Sequence, residues 1–283
     1  MKKTTRALVL GAGGVVGTAW TAGFASGLRR DGVDLADADV IVGTSAGAIV
    51  GAMLATDSDL DRLNALPACP AAQGGSAPKT DPDRLDKVFR VLGDAGLEPA
   101  TARRRVGELA LAAETITEQA HIARMSTLIT AHRWPHRKLL ITAVDIETGE
   151  PQVWDQAGGA PLPAAVASSC AMPGVYPPIT INGRRYMDGG LVSGTNAELA
   201  AGADVLVLIE PLAHLYPRGP LERELTKAGA GTVITINPDP AAVDAFGPDL
   251  HDRAAWQPSY QAGIRQASES AERVRAAWHS PAG

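Results

Sequence analysis

The chain has 283 residues, enough to bury a sizeable core in one large α/β domain or two small ones. Hydrophobic residues make up 45 %, an ordinary globular composition that argues against a disordered chain. The net charge of −5, from 26 basic and 31 acidic side chains, leaves no basic excess to hold a polyanion, so no nucleic-acid partner is expected.

The start of the chain has two readings. Lys2, Lys3 and Arg6 ahead of "ALVLGAGGVVG" have the shape of a signal peptide, or "RALVL" (6–10) is a first buried strand followed by a glycine loop. The strand is the preferred reading, because the loop has a chemical use. An apolar helix follows to about Leu28, then a second short strand, "DVIVG" (39–43), and a buried small-residue helix, "SAGAIVGAMLA" (45–55). Buried strands without polar alternation, each followed by a helix, predict a parallel α/β sheet.

Between Ala55 and Arg137 the character changes, and 56–137 reads as a helical insertion or cap. "LPACPAAQGGSAPKTDP" (66–82) is rich in Pro, Gly, Ala and Ser and reads as a mobile loop. Helices are expected near 83–94 and 102–132. The first carries Leu85, Val88, Phe89 and Leu92 on one stripe, which either packs on the sheet or caps the site, with 66–94 as a lid. Further strands are expected at 138–145, 151–155, around 178–188, 204–211 and 232–238. The helix at about 252–279, within a 252–283 tail, alternates in charge and reads as a solvated outer layer. No unpunctuated apolar run reaches about 18 residues, so no transmembrane helix is predicted. The two cysteines, Cys69 and Cys170, have no metal-like spacing, so no metal site or disulfide framework is expected, and one incidental disulfide stays open.

Three motifs carry chemistry. "GAGGVVG" (11–17) lies between a strand and a helix, where unpaired backbone amides and the positive dipole end can hold a phosphate or a transient oxyanion. As a dinucleotide fingerprint it fits poorly: Ala12 takes the place of the first glycine before Gly14 and Gly17, and the second strand ends in Gly43 rather than in an acid. "GTSAG" (43–47) matches G-x-S-x-G between a strand and a helix, with Gly43 and Gly47 flanking Ser45 at a tight turn. A serine nucleophile needs a base. Of the six histidines, only His214 follows a strand closely, and a surface or satisfied polar role competes with a catalytic one there. "YMDGG" (186–190) offers Asp188 at a strand end before Gly189 and Gly190, either as a plain turn or as a carboxylate able to take the serine proton.

Together, "LVLGAGGVVGTAW", "VIVGTSAGAIVGAMLA" and "SSCAMPGVYPPITINGRRYMDGGLVSGTN" resemble the patatin-like phospholipases over most of the chain. The last block, with S-x-A-x-P-x-x-x-P-P ahead of D-G-G, is the most specific. The resemblance implies a three-layer α/β/α fold with a mainly parallel central sheet and a single hydrolase domain over 1–283. It implies a Ser–Asp dyad of Ser45 and Asp188, an oxyanion hole from the amides of Ala12, Gly13 and Gly14, and no cofactor. A lipid or other acyl ester is the expected substrate, in the cytoplasm or in peripheral contact with a membrane. This chain departs from the family habit at Ala12, where the family has glycine, and at Val16, where it usually has Arg or Lys. Trp20, Phe24, Met53 and Met172 either line an acyl channel or pack the core. Two other readings stay open: a nucleotide-binding oxidoreductase using the 11–17 loop, and a non-catalytic lipid-binding protein of the same fold.

Overall fold

A computed structural model describes residues 4–64 and 81–279. Cys69 and nearly all of the 66–82 loop lie outside the described residues. Among the described residues eight strands form one sheet: β1 (Arg6–Leu10), β2 (Val40–Gly43), β3 (Lys138–Asp145), β4 (Pro151–Trp154), β5 (Ile179–Ile181), β6 (Arg184–Asp188), β7 (Val205–Ile209) and β8 (Thr232–Ile236). Pairing runs β5-β6-β3-β2-β1-β7-β8, with β4 also on β3. The run β3-β2-β1-β7-β8 is parallel, and β4, β5 and β6 join antiparallel.

Alternation along β1 explains why its sequence is apolar throughout. Leu8 and Leu10 face a core shared with α1 (Gly14–Arg30), α2 (Ala46–Ala55) and other helices. Ala7 and Val9 face a second core, on the opposite side of the sheet. The strand is therefore buried on both faces, as parallel strands between helix layers are. This is the expected three-layer arrangement.

The remaining helices are α3 (Pro82–Leu92), α4 (Pro99–Ala112), α5 (Glu118–Ile129), α6 (Leu162–Ser169), α7 (Arg218–Ala228), α8 (Pro240–Phe246) and α9 (Trp256–Trp278). Expectations fail in three places. The predicted 102–132 helix is two, because Ala113 turns extended and Thr117 caps α5, its side chain accepting the Ala120 amide. On α3 the inward face is Val88 with Val91 and Leu92, packed near Val106, Val144 and Met187, while Phe89 is 51 % exposed. The C-terminal helix is more than a solvated layer, since one face is pressed on α1. A Cβ at Gly23 would stand 2.1 Å from the Tyr260 carbonyl oxygen, and one at Gly263 would stand 2.2 Å from that of Trp20. Small residues let these two helices meet backbone to backbone. Among the described residues no helix is long and apolar enough to cross a membrane.

Candidate active site

The register of β3 decides where the site forms. On β3, Ile141 pairs with both Gly43 of β2 and Trp154 of β4, so β2 and β4 lie on opposite edges. Ala143 pairs with both Gln152 of β4 and Asp188 of β6, so β6 lies on the same edge as β2. The strands β2 and β6 run in opposite directions, and their C-terminal ends meet at Thr142. Ser45 and Asp188 are 143 positions apart in the chain, and this end-to-end meeting brings them together.

Local sequence shapes each end. After β2 the chain turns so sharply that Ser45 takes φ 53° and ψ −115°. Such a conformation stores about 1–3 kcal/mol and is held only by its surroundings. The glycines of the motif are steric requirements. A Cβ on Gly43 would stand 2.7 Å from the Gly47 carbonyl oxygen, and one on Gly47 would stand 2.0 Å from that of Leu10. The Ser45 amide donates to Ser169 Oγ at 2.9 Å, and Cys170 Sγ, a free buried thiol, donates to the Ser45 carbonyl at 3.2 Å. Beneath the turn, Thr44 Oγ1 receives hydrogen bonds from Thr142 Oγ1 and Asn196 Nδ2, both at 3.0 Å. Thr142 carries no motif signal; Ser169 opens the S-x-A-x-P block and Asn196 closes the same quoted stretch, but neither of them is assigned a role from the sequence.

Ser45 Oγ donates to Asp188 Oδ2 at 2.8 Å. The other carboxylate oxygen accepts the Gly190 amide at 2.8 Å. A Cβ on Gly189 would stand 2.2 Å from Thr142 Oγ1, so the chain can pass β3 here only without a side chain. Asp188 is 4 % exposed and Ser45 9 %. Burial pushes the Asp188 carboxyl up to about 7, against the opposing pull of the Gly190 amide and the Ser45 hydroxyl. A carboxylate so placed can accept a proton near neutral pH, as a general base must.

The glycine loop contributes two open donors rather than three. The Ala12 amide donates to the Gly194 carbonyl at 2.8 Å, so it is already used, contrary to the expectation for an oxyanion hole of Ala12, Gly13 and Gly14. No hydrogen bond from the Gly13 or Gly14 amide is found among the described residues. Val15 and Val16 donate to the Leu250 carbonyl, which plugs the N-terminus of α1 where a pyrophosphate would sit. Gly17 packs on Pro211, where a Cβ would stand 2.9 Å from the ring. Val16 is fully buried, in surroundings that suit no charged side chain.

A narrow cavity of about 50 Å³ opens on Ser45 and Asp188. Ser45, Asp188 and Gly14 line one side, and His121, Arg124, Met125 and Leu128 of α5 another, with Tyr176 and His251 beside them. Among the described residues the capping wall of the cavity comes from α5, and none of the lining comes from the 83–94 stripe. Met172 lines the cavity, whereas Trp20, Phe24 and Met53 are wholly buried core residues. Two histidines do reach the cavity, His121 and His251, but neither bonds to Ser45 or Asp188 among the described residues. His214 is not part of the lining and lies 6.5 Å from the Phe246 ring. No group of His, Cys, Asp and Glu among the described residues is placed to hold a metal.

The fold and site define an α/β protein that sets a strained serine against a buried aspartate at the carboxyl ends of its strands. The chain belongs to the patatin-like phospholipase family, whose model matches residues 8–201, and this places it among ester-cleaving hydrolases. No curated protein matches the chain. Among solved structures, VipD from Legionella pneumophila is similar at 13 % identity, with 95 % of this chain and 67 % of VipD covered and a TM-score of 0.44. The type III effector ExoU is similar at 14 % identity, over 96 % of this chain and 54 % of its own, with a TM-score of 0.36. ExoU in complex with SpcU from Pseudomonas aeruginosa gives 16 % identity, 94 % and 53 % coverage and a TM-score of 0.35. The chain thus spans about half of ExoU and two thirds of VipD.

Proposed function

We propose that the protein hydrolyses lipid acyl esters through a Ser45–Asp188 dyad and an acyl-enzyme. The observation that carries this is the 2.8 Å hydrogen bond from Ser45 Oγ to a buried, proton-accepting carboxylate. Asp188 takes the hydroxyl proton as Ser45 attacks the acyl carbonyl. The amides of Gly13 and Gly14 hold the oxyanion of the tetrahedral intermediate, a role worth about 3–4 kcal/mol per donor in comparable sites. Asp188 then gives its proton to the departing alcohol, and the acyl group stays on Ser45. Water attacks the acyl-enzyme with Asp188 again as base, Asp188 hands that proton to Ser45 Oγ as the acyl–oxygen bond breaks, and the free acid leaves. The strain at Ser45 fixes its oxygen at the turn, so little reorganisation is needed before attack. Apolar Ile49, Met125, Leu128 and Trp256 along the cavity offer a wall for an acyl chain.

The test is a panel of lipid and p-nitrophenyl esters of graded chain length, run on wild type and Ser45→Ala together. Hydrolysis by the wild type that disappears in Ser45→Ala is the expected outcome. Equal rates for both proteins would overturn the reading.

A further inference from the structure

Segment 193–197 touches both halves of the candidate site. On one side the Gly194 carbonyl takes the Ala12 amide at 2.8 Å, at the head of the glycine loop. On the other, Asn196 Nδ2 donates to Thr44 Oγ1 at 3.0 Å, and Thr44 Oγ1 donates to the Thr195 carbonyl at 3.5 Å. Thr44 immediately precedes Ser45. The Thr44 and Gly47 amides fix the base of the turn to the Leu10 and Gly11 carbonyls directly. Beyond Gly11 the loop leans on Gly194, and the Thr44 side chain leans on Thr195 and Asn196.

Asn196 holds a left-handed conformation, φ 53° and ψ 39°, which few residues other than glycine adopt. Glu224 of α7 grips it from both sides. Its Oε2 accepts the Thr195 hydroxyl at 2.7 Å and the Ala197 amide at 2.8 Å. Within the segment, Ser193 Oγ accepts the Thr195 and Asn196 amides, both at 3.0 Å.

The carboxylate at 224 is not explained by packing. Glu224 is buried, and among the described residues it forms no ion pair with a basic side chain. A buried charge without a counterion costs stability unless hydrogen bonds offset the loss of water. Leu221 and Ala228 already seat α7 on the second core, with Leu225 packed beside them. An apolar residue at 224 would serve that seating at lower cost. What the carboxylate alone can do is hold the two donors that flank Asn196. It does so from the side of the sheet opposite α2, the helix that Ser45 opens.

We infer that Glu224 is a remote positioning residue for the reaction: through Thr195, Asn196 and Ala197 it keeps the glycine loop and the Ser45 turn in register. It touches no reacting atom. This rests on the ester-hydrolase reading of the Ser45–Asp188 site.

The experiment pairs p-nitrophenyl ester kinetics with amide hydrogen exchange, read by mass spectrometry over peptides covering 11–17 and 43–47. Glu224→Ala is expected to lower kcat about 10- to 100-fold with KM within about twofold, because misplacement is felt mainly in the transition state. Glu224→Gln keeps an acceptor oxygen and is expected to restore most of the rate. Asn196→Gly suits the left-handed backbone but deletes the bond to Thr44, and its loss is expected not to add to that of Glu224→Ala. In Glu224→Ala both peptides are expected to exchange about tenfold faster relative to α9, which reports on stability elsewhere in the fold. Glu222→Ala, at an exposed position of the same helix, is expected to change neither readout. Thr195→Val deletes one of the two donors at nearly constant shape, and is expected to shift both readouts in the same direction by less. It carries the test if Glu224→Ala does not fold. A wild-type kcat in the folded variants, losses that add with Asn196→Gly, or unchanged exchange at both peptides would overturn the assignment. A wild type that cleaves no ester would sink the hydrolase reading, while exchange would still decide whether Glu224 holds the loop and the turn.

Discussion

Ser45 and Asp188 are joined by a 2.8 Å hydrogen bond because β2 and β6 end against each other on one edge of β3. Neither strand alone makes a site. The Ser45–Asp188 pair is a property of the sheet register, which explains why its members lie 143 positions apart.

If the pair is one unit, its losses should not add. Ser45→Ala and Asp188→Asn should each lower kcat/KM by at least about 1000-fold, and the double variant should be no worse than either. A fluorophosphonate should label wild type at Ser45 alone, read by peptide mapping. His214→Gln and His251→Gln should stay within a few-fold of wild type. A folded His251 variant as inactive as Ser45→Ala would replace the dyad with a triad.

The raised Asp188 carboxyl predicts opposite pH trends for rate and stability. The base must be ionised, so kcat/KM should climb about tenfold per pH unit and level off above an apparent pKa near 7. For stability, the native carboxyl keeps a proton that the unfolded chain, with a value of 3.8, has already released. Between about pH 4 and pH 7 the folded state therefore loses stability as pH rises. A shift from 3.8 to about 7, at about 1.4 kcal/mol per unit, sets an upper limit of about 4 kcal/mol. Asp188→Asn should melt above wild type at pH 8 and match it near pH 4. Thermal scans across pH check this, and a wild type that melts above Asp188→Asn at pH 8 would contradict it.

Ser169 supports the turn that carries Ser45. Its Oγ accepts the Ser45 amide at 2.9 Å, and both residues are buried. Ser169→Ala strands that amide, so it should cost about 1–3 kcal/mol of stability and loosen the strained turn. The expected kinetic signature is a kcat reduced about tenfold with KM little changed. An unaltered melting temperature and kcat would show that the turn holds itself.

The two glycines of α2 should behave oppositely. At Gly47 a Cβ would stand 2.0 Å from the Leu10 carbonyl oxygen, which belongs to a strand that cannot move aside. Gly47→Ala should fail to give folded protein, or should melt far below wild type. At Gly51 the nearest atom would be the Ile41 Cγ2 methyl at 3.1 Å, a side-chain group rather than backbone. Gly51→Ala should fold and gain up to about 1 kcal/mol from helix propensity, less whatever Ile41 must give. Comparative circular dichroism melts decide, and equal tolerance at both positions would contradict the steric account.

The sequence by itself determined the parallel strands, the turn at Ser45, the candidate base at Asp188 and the loop beside them. Each of these is written in local chemistry: β-branched runs, glycines where backbone must pass backbone, and a carboxylate at a strand end. What is set by contact between distant segments was not legible. The sequence offered Ala12, Gly13 and Gly14 as equal donors, and only the Gly194 carbonyl, which takes the Ala12 amide, tells them apart. It read α9 as solvated because charges are counted along a chain, whereas Gly263 reveals its purpose only against Trp20. It joined α4 and α5 into one helix, and so hid the independent face that carries Arg124 to the cavity. Local chemistry decides which conformations a segment can adopt; which amide is spent, which face is inward and which charge lacks a partner depend on what the fold brings within a few ångströms, and that belongs to tertiary structure alone.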